Sequence, residues 1–274
     1  MSNHSLKEAL DRLYSSFDFE SRKFNDPVEF PHRYKSKKDM EVVAFISALF
    51  AYGKVDLFRS FLEKVFAVMG TSPYSFVMEF DRKRDSIYFS GLKYRFNSDE
   101  DIVLLIQILK AILSDESSLG KLFTNMYKKS GQDIRAALTG YVDRFHTLAV
   151  QVGGPGMGFA HLLPSPAKGS ACKRLNMFLR WMIRDRDIDL GLWKEIPKNK
   201  LIIPLDTHIA RIGRCLELTN RKSADWKTAE EITESLKRFD PEDPLKYDFA
   251  LCHQGIMGIC REDRKLCSKC ELKI

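Results

Sequence analysis

Apolar residues recur at spacings of three and four along most of the chain, and no stretch shows the period-two alternation of a half-buried strand. The pattern therefore predicts an all-α fold. Leu6, Leu10 and Leu13 mark a first amphipathic helix, and the stretch FNDPVEFPHRYKSKKD after it carries two prolines that argue for extended chain. Val42, Val43, Phe45, Ile46, Leu49 and Phe50 leave no polar face, as expected of a central core helix. Gly53 is placed to end that helix in a left-handed conformation, and Phe58, Phe61, Leu62, Val65 and Phe66 begin the next. The junction presents Tyr52 and Lys54, either as a wedge toward a DNA duplex or as an ordinary helix corner. Ile102, Leu105, Ile106 and Leu109 define a helix capped within Ser98–Asp101, and GLKYRFN before it, mixing aromatic and basic residues, reads either as a contact for nucleic acid or, more plainly, as a solvated turn with Phe96 buried. GGPGMGF at 153–159 lacks the GK[ST] ending of a phosphate loop and reads as a flexible connection.

Composition narrows the class only moderately. A chain of 274 residues with 44% hydrophobic and 30% charged residues is long enough to bury a large core. A net charge of +7 and a pI near 9.0 suit a polyanionic partner, although an unrelated basic protein has the same balance. No apolar run approaches a membrane span, and MSNHSLKEALDRLYSSF reads as an amphipathic helix rather than a signal peptide, so a cytoplasmic protein is expected. In that compartment the six cysteines read as thiols or metal ligands rather than as disulfides.

The stretch that bears on chemistry runs from Leu163 to Leu216. Leu175, Phe178, Leu179 and Met182 form one apolar stripe, and helical geometry gathers Lys173, Arg180 and Arg184 on the opposite side. A solvated cationic face is the ordinary meaning of such a row. In PLDTHIAR, Asp206 stands where an N-cap belongs. A carboxylate at a helix start is also fixed in place and kept ionised by backbone N–H groups, which suits it to face a developing cation.

LLPSPAKGSACKRLN, followed by PLDTHIAR and by CHQGIMGIC-x6-CSKC, resembles the helix-hairpin-helix DNA glycosylase superfamily, in the order found in endonuclease III-like enzymes. The likeness is good over about 163–274 and weaker over 40–70, where VVAFISALFAYGKV is similar to the family's core helix and wedge loop. The chain looks most like an uncharacterised bacterial group with the same GSACKRLN…PLDTH signature, and its lysine-to-aspartate spacing is similar to that of archaeal 8-oxoguanine glycosylases. The resemblance implies two closely packed helical domains with a cleft between them. On that reading an N-terminal segment at 1–40 packs with the C-terminal domain, a helical barrel domain spans 41–199 with the hairpin at about 160–185, and a C-terminal domain spans 200–274. It also implies that a damaged nucleotide is flipped out, that a lysine attacks C1′ to form a Schiff base, and that Asp206 steadies the transition state. Lys173 has the archaeal-like spacing, and Lys168 is the alternative nucleophile that a gapless match to the usual hairpin brings close. The family hairpin, LPGVGxKTA, is Leu163-Pro164-Ser165-Pro166-Ala167-Lys168-Gly169 here, so its glycine-rich phosphate cradle is degenerate.

Under this reading the partner is double-stranded DNA carrying a damaged base, with 8-oxoguanine as the expected lesion, and the protein is a monomer. The expected DNA contacts are Tyr52, Lys54, Ser165, Lys168, Gly169, Arg174, Arg180, Arg184 and His208. Trp181, Trp193, Trp226 and Phe249 are candidates to stack on the flipped base. No cofactor is required by the chemistry. Cys260, Cys267 and Cys270 match three ligands of the family's iron–sulfur loop, and a fourth at family spacing would fall past Ile274, which leaves an iron–sulfur cluster, a zinc ion or metal-free thiols open. The alternative from a different class is a nucleic-acid-binding protein that keeps the fold without the chemistry.

Overall fold

The structure is a computed structural model that describes residues 3–260 and Leu272. Ten helices of nine residues or more are present among the described residues. They are α1 (Asn3–Ser16), α2 (Lys37–Phe50), α3 (Val55–Met69), α4 (Asp99–Glu116), α5 (Leu119–Lys129), α6 (Ile134–Gln151), α7 (Lys173–Ile183), α8 (Thr207–Cys215), α9 (Trp226–Lys237) and α10 (Asp248–Ile256). Shorter helices include Phe19–Lys23, Glu29–His32, Pro73–Glu79 and Met157–Leu162. No strand forms among the described residues, where pairing is limited to isolated bridges at Tyr94–Asn97 and Ser170–Asp225. The fold is all-α.

The apolar run at 42–50 produces the buried axis that its pattern predicts: every residue of α2 from Val42 to Phe50 is buried. Each fully buried Phe, Leu, Ile or Val there contributes roughly 1.5–3 kcal/mol. Phe45 is the hub, with ring centroids 5.1 Å from Phe145 of α6 and 5.0 Å from Phe178 of α7. Trp193 continues the stack against Phe178 and Phe123. Glu41, one turn earlier on α2, is buried yet satisfied, because it accepts the N–H groups of Leu119 and Gly120 at 3.0 and 2.9 Å and the indole N–H of Trp193 at 2.8 Å. A core carboxylate thus caps α5 and orients the tryptophan. Burial still pushes the Glu41 carboxyl above its ordinary value, against those three donors.

Caps follow the sequence closely. Ser98 and Asp101 form a reciprocal capping box at the start of α4, and Asp225 caps α9 by accepting Thr228 N–H at 2.9 Å. Two details differ from expectation. The proline-containing stretch after α1 holds the short helix Glu29–His32, in which Pro31 needs no donor because the helix is a single turn. Asp243-Pro244 offers a proline at the first position of a last helix, yet that helix starts at Asp248, and Asp243 pairs with Arg184 instead.

The largest correction concerns α7. All residues from Arg174 to Ile183 are buried, so the helix has no solvated cationic face. Arg180 is held between Asp189 at 3.2 Å and Asp248 at 2.5 Å. Arg184 meets Asp189 at 2.5 Å, Asp243 at 2.9 Å and Asp187 at 3.1 Å. Asp187 in turn accepts the Tyr14 hydroxyl of α1 at 2.8 Å, and Tyr247 donates to Asp11 of α1 at 2.7 Å. The first helix is thereby tied to α7 and to the segment before α10. Replacing Arg184 by Met leaves Asp189 and Asp243 short of a cation inside the protein, and we expect it to lower unfolding free energy by about 3–5 kcal/mol in denaturant titrations; a loss below 1 kcal/mol would show that the network is not a structural tie.

Candidate active site

Two helix starts converge here. Asp206 has extended backbone (φ −116°, ψ −173°) and its Oδ1 accepts the Ile209 N–H at 2.8 Å, so α8 begins with its cap in place. The second oxygen, Oδ2, is left to point away from the cap. It lies 3.5 Å from Lys173 Nζ and 3.5 Å from the Cys252 thiol, which donates to it. The Lys173 side chain is 38% exposed and that of Asp206 16% exposed, so the amine is reachable while the carboxylate is mostly enclosed.

The residue before the lysine is strained. Cys172 adopts a left-handed backbone (φ 47°, ψ 39°), a conformation that costs a side-chain-bearing residue of order 1–3 kcal/mol. The surroundings hold it there: its N–H is accepted by Ser170 Oγ at 3.2 Å, its thiol donates to the Pro164 carbonyl at 3.2 Å, and Asn176 donates to the Ala171 carbonyl at 3.0 Å. These bonds set where α7 begins and so where Lys173 is placed. Burial pushes the Cys172 thiol up to about 11.

Helix α10 approaches α8 closely enough to supply Cys252. A Cβ on Gly255 would stand 2.6 Å from His208 Cβ, so only glycine permits this packing. The approach also brings Asp248 within the charge field of Asp206. Burial raises the Asp248 carboxyl to about 6, Arg180 opposes that rise, and Asp206 and Asp189 add to it. The Cys252 thiol is likewise pushed well above its ordinary value, by burial first and by Asp206 and Asp248 next. Asp26, half-buried in the loop before Glu29–His32, gives one oxygen to Val28 N–H at 2.9 Å. Burial raises its carboxyl as well, while Val28, Arg180, His253 and Lys173 favour the ionised form.

The sequence-predicted residues separate clearly. Lys173 and Asp206 are brought together. Lys168 lies exposed in the 3-10 turn Pro166–Lys168, and Gly169 beside it has φ +82°. The helix Met157–Leu162, this turn and α7 follow one another as helix, hairpin and helix, but Lys168 and Gly169 donate their N–H groups back to Ser165 and Pro166. Ser165 itself is buried. Arg174, Arg180 and Arg184 are corrected as DNA contacts: all three are buried, and Arg174 donates to the carbonyls of Leu49 and His161. Trp181 and Trp226 are fully buried in the core and Trp193 is spent on Glu41, so none is available to stack on a base. Phe249 lies beside the site under the Arg180 guanidinium, but it is buried against Phe17, Phe19 and His253. His208 is half-buried with Nδ1 3.3 Å from Arg211, while Tyr52 and Lys54 sit at the α2–α3 junction, where the Tyr52 hydroxyl donates to Asn97 at 2.6 Å. Cys260 is buried, whereas Cys267 and Cys270 lie outside the described residues. Sequence reasoning missed Asp26 altogether, since an aspartate in a proline-bounded loop carries no local signal. No helix among the described residues is long and apolar enough to cross a membrane.

An all-α chain with a lysine and a capping aspartate at neighbouring helix starts is the class that fold and site define. A family model described as "Protein of unknown function (DUF2400)" matches residues 26–257, and the chain belongs to that family. Neither a curated protein nor a solved structure matches it.

The raised value of Asp248 has a definite sign in stability. Between about pH 4 and about pH 6 the folded chain keeps a proton that the unfolded chain has released. Its contribution is complete below that window and is lost as pH rises through it. We therefore expect the unfolding free energy of wild type, relative to Asp248→Asn, to fall from pH 4 to pH 6; a difference that rises over this window would contradict the assignment.

Proposed function

We propose that this protein is a DNA glycosylase with lyase activity, acting on an oxidised purine in duplex DNA. The observation that carries the reading is the Lys173–Asp206 pair, with Nζ 3.5 Å from an Oδ2 that the helix cap leaves free. The basic balance of the chain supports a polyanionic partner. The helix, hairpin and helix order over 157–183 supports the resemblance on which the choice of an oxidised purine, 8-oxoguanine first, rests.

A nucleotide turned out of the duplex presents C1′ to the free-base form of Lys173. The bond from C1′ to the base nitrogen breaks with its electron pair leaving on the base, which takes up a proton. Nζ forms the new bond to C1′ and releases a proton, which matches the one that the departing base takes up. Asp206 Oδ2 faces the cationic character that builds on the sugar ring, and it is held by its own helix so that it need not reorganise. The C1′–O4′ bond then breaks with its pair leaving on O4′, which takes up a proton, to give the Schiff base; loss of the 2′ proton balances that uptake and expels the 3′ phosphate. Cys252 keeps Asp206 Oδ2 directed at the amine, as a positioning residue.

The internal use of the hairpin N–H groups favours one other reading, a nucleic-acid-binding protein without catalysis. Borohydride reduction during incubation with 8-oxoguanine duplex separates the two. Wild type is expected to give a covalent adduct, Lys173→Gln none, and Lys168→Gln an adduct still. Asp206→Asn keeps a competent cap and is expected to slow base release by roughly 10²- to 10³-fold. DNA retention with no adduct on any oxidised base would leave only the binding reading.

A further inference from the structure

The segment GLKYRFN is used by none of the chemistry above, and it is built for exposure. Tyr94 and Asn97 close a tight hairpin through paired backbone bonds of 2.9 and 2.8 Å. Both anchors are buried, and Asn97 is further fixed by donating to the Gly158 carbonyl at 2.8 Å. Between them, at the tip, Arg95 adopts a left-handed backbone (φ 51°) and Phe96 is 63% exposed. Phe96, expected to be buried, is the ring the turn pushes outward, and Tyr94 is the one it buries. A strained, non-glycine tip on a rigid base is a feature that folding alone does not require.

What surrounds the tip defines a ligand class. The Tyr52 and Phe96 rings are parallel within 5°, with centroids 6.5 Å apart, and the Arg95 guanidinium stands 5.7 and 5.6 Å from them. Gly53 makes room, since a Cβ there would lie 2.6 Å from Arg95 Nη1. Beside the tip is a cleft of about 350 Å³ lined by Ser60, Lys64, Lys93 and Arg95 together with apolar residues, and its lining contains no carboxylate. Planar aromatic surface with a guanidinium fits a nucleobase, and an all-cationic cleft fits a phosphate. The tip is also tied to the reacting helix: Arg174, next to Lys173, packs its guanidinium 5.0 Å from the Tyr52 ring centroid and donates to the His161 carbonyl.

We propose that the Arg95–Phe96 tip and its cleft bind one unstacked nucleotide of the strand opposite the one that Lys173 attacks, with its base on Phe96 and Arg95 and its phosphate between Lys64 and Lys93. This assignment rests on the glycosylase reading for the source of that nucleotide, because a base swung out to Lys173 leaves its partner unpaired. The surface supplies the stacking that the unpaired base loses and cations for its phosphate.

The test places 2-aminopurine opposite an abasic-site analogue in a labelled duplex and compares it with a fully paired duplex. Wild type is expected to bind the first more tightly and to quench the 2-aminopurine. Phe96→Ala should lose about ten-fold in affinity for it together with the quench, and Phe96→Trp should restore both. Lys64→Glu with Lys93→Glu should weaken both duplexes and reduce the slope of log K against log salt by about 1–2. Unchanged affinity and quench in Phe96→Ala, an unchanged salt slope in the double variant, or no binding by wild type would each overturn the proposal. Borohydride trapping on the same proteins keeps the two readings apart. Binding and quench that respond as described, with no adduct formed, would remove the catalysis and leave the nucleotide surface standing.

Discussion

Two buried guanidinium groups on α7 govern the arrangement. Arg180 and Arg184 lie one turn apart and are almost wholly removed from water, a position that is tolerable only with charge of the opposite sign in contact. Asp189 and Asp187 come from the chain just after the helix, Asp243 and Asp248 from far downstream. Desolvation works against these arginines, yet the carboxylates hold both above their ordinary value, so neither cation gives up its proton. A buried ion network of this kind adds little net stability compared with apolar packing, but it strongly penalises any arrangement that separates its members. Its consequence is register. The helix that begins with Lys173 is fixed along its axis relative to α10, the helix that carries Cys252 to Asp206.

That register explains how much of the site was legible in the chain. Asp206 was readable because it begins a helix and a capping side chain leaves a local signature, whereas Lys173 was singled out by its spacing to Asp206 in the family resemblance. The apolar run of α2 was readable too, since a helix without a polar face has to be central. The role of the arginines was misread because helical periodicity assigns a face but not what covers it. A cationic stripe meets water or carboxylates with the same local pattern, and the carboxylates here arrive from residues 243 and 248, beyond the reach of any window. Trp181 and Trp226 failed similarly, as both are core residues whose ring size reveals nothing of exposure. Phe96 went the other way. Its burial was inferred from hydrophobicity, whereas the backbone of a two-residue tip leaves one ring inside and one outside, and Tyr94 took the inside place.

The carboxyl groups near the lysine are graded by their surroundings. Asp206 has an N–H donor on one oxygen and the Cys252 thiol and Lys173 Nζ near the other. Asp248 is raised by burial and opposed by Arg180, and burial raises Asp26 in the same sense. Asp206 is the member of the set whose position is locked by its own helix.

Strain at Cys172 completes the argument. A residue with a side chain enters the left-handed region only when its neighbours supply more than the region costs, and three side-chain hydrogen bonds from Cys172, Ser170 and Asn176 do so here. A glycine at that position would adopt the same backbone without strain but would lose the thiol contact to Pro164, and with it the link between the hairpin and the first turn of α7. The hairpin is therefore coupled to the lysine through one residue. Any shift of the Ser165–Gly169 turn must also act on the backbone immediately before Lys173, so the position of the exposed Lys168 and the placement of the amine are not independent.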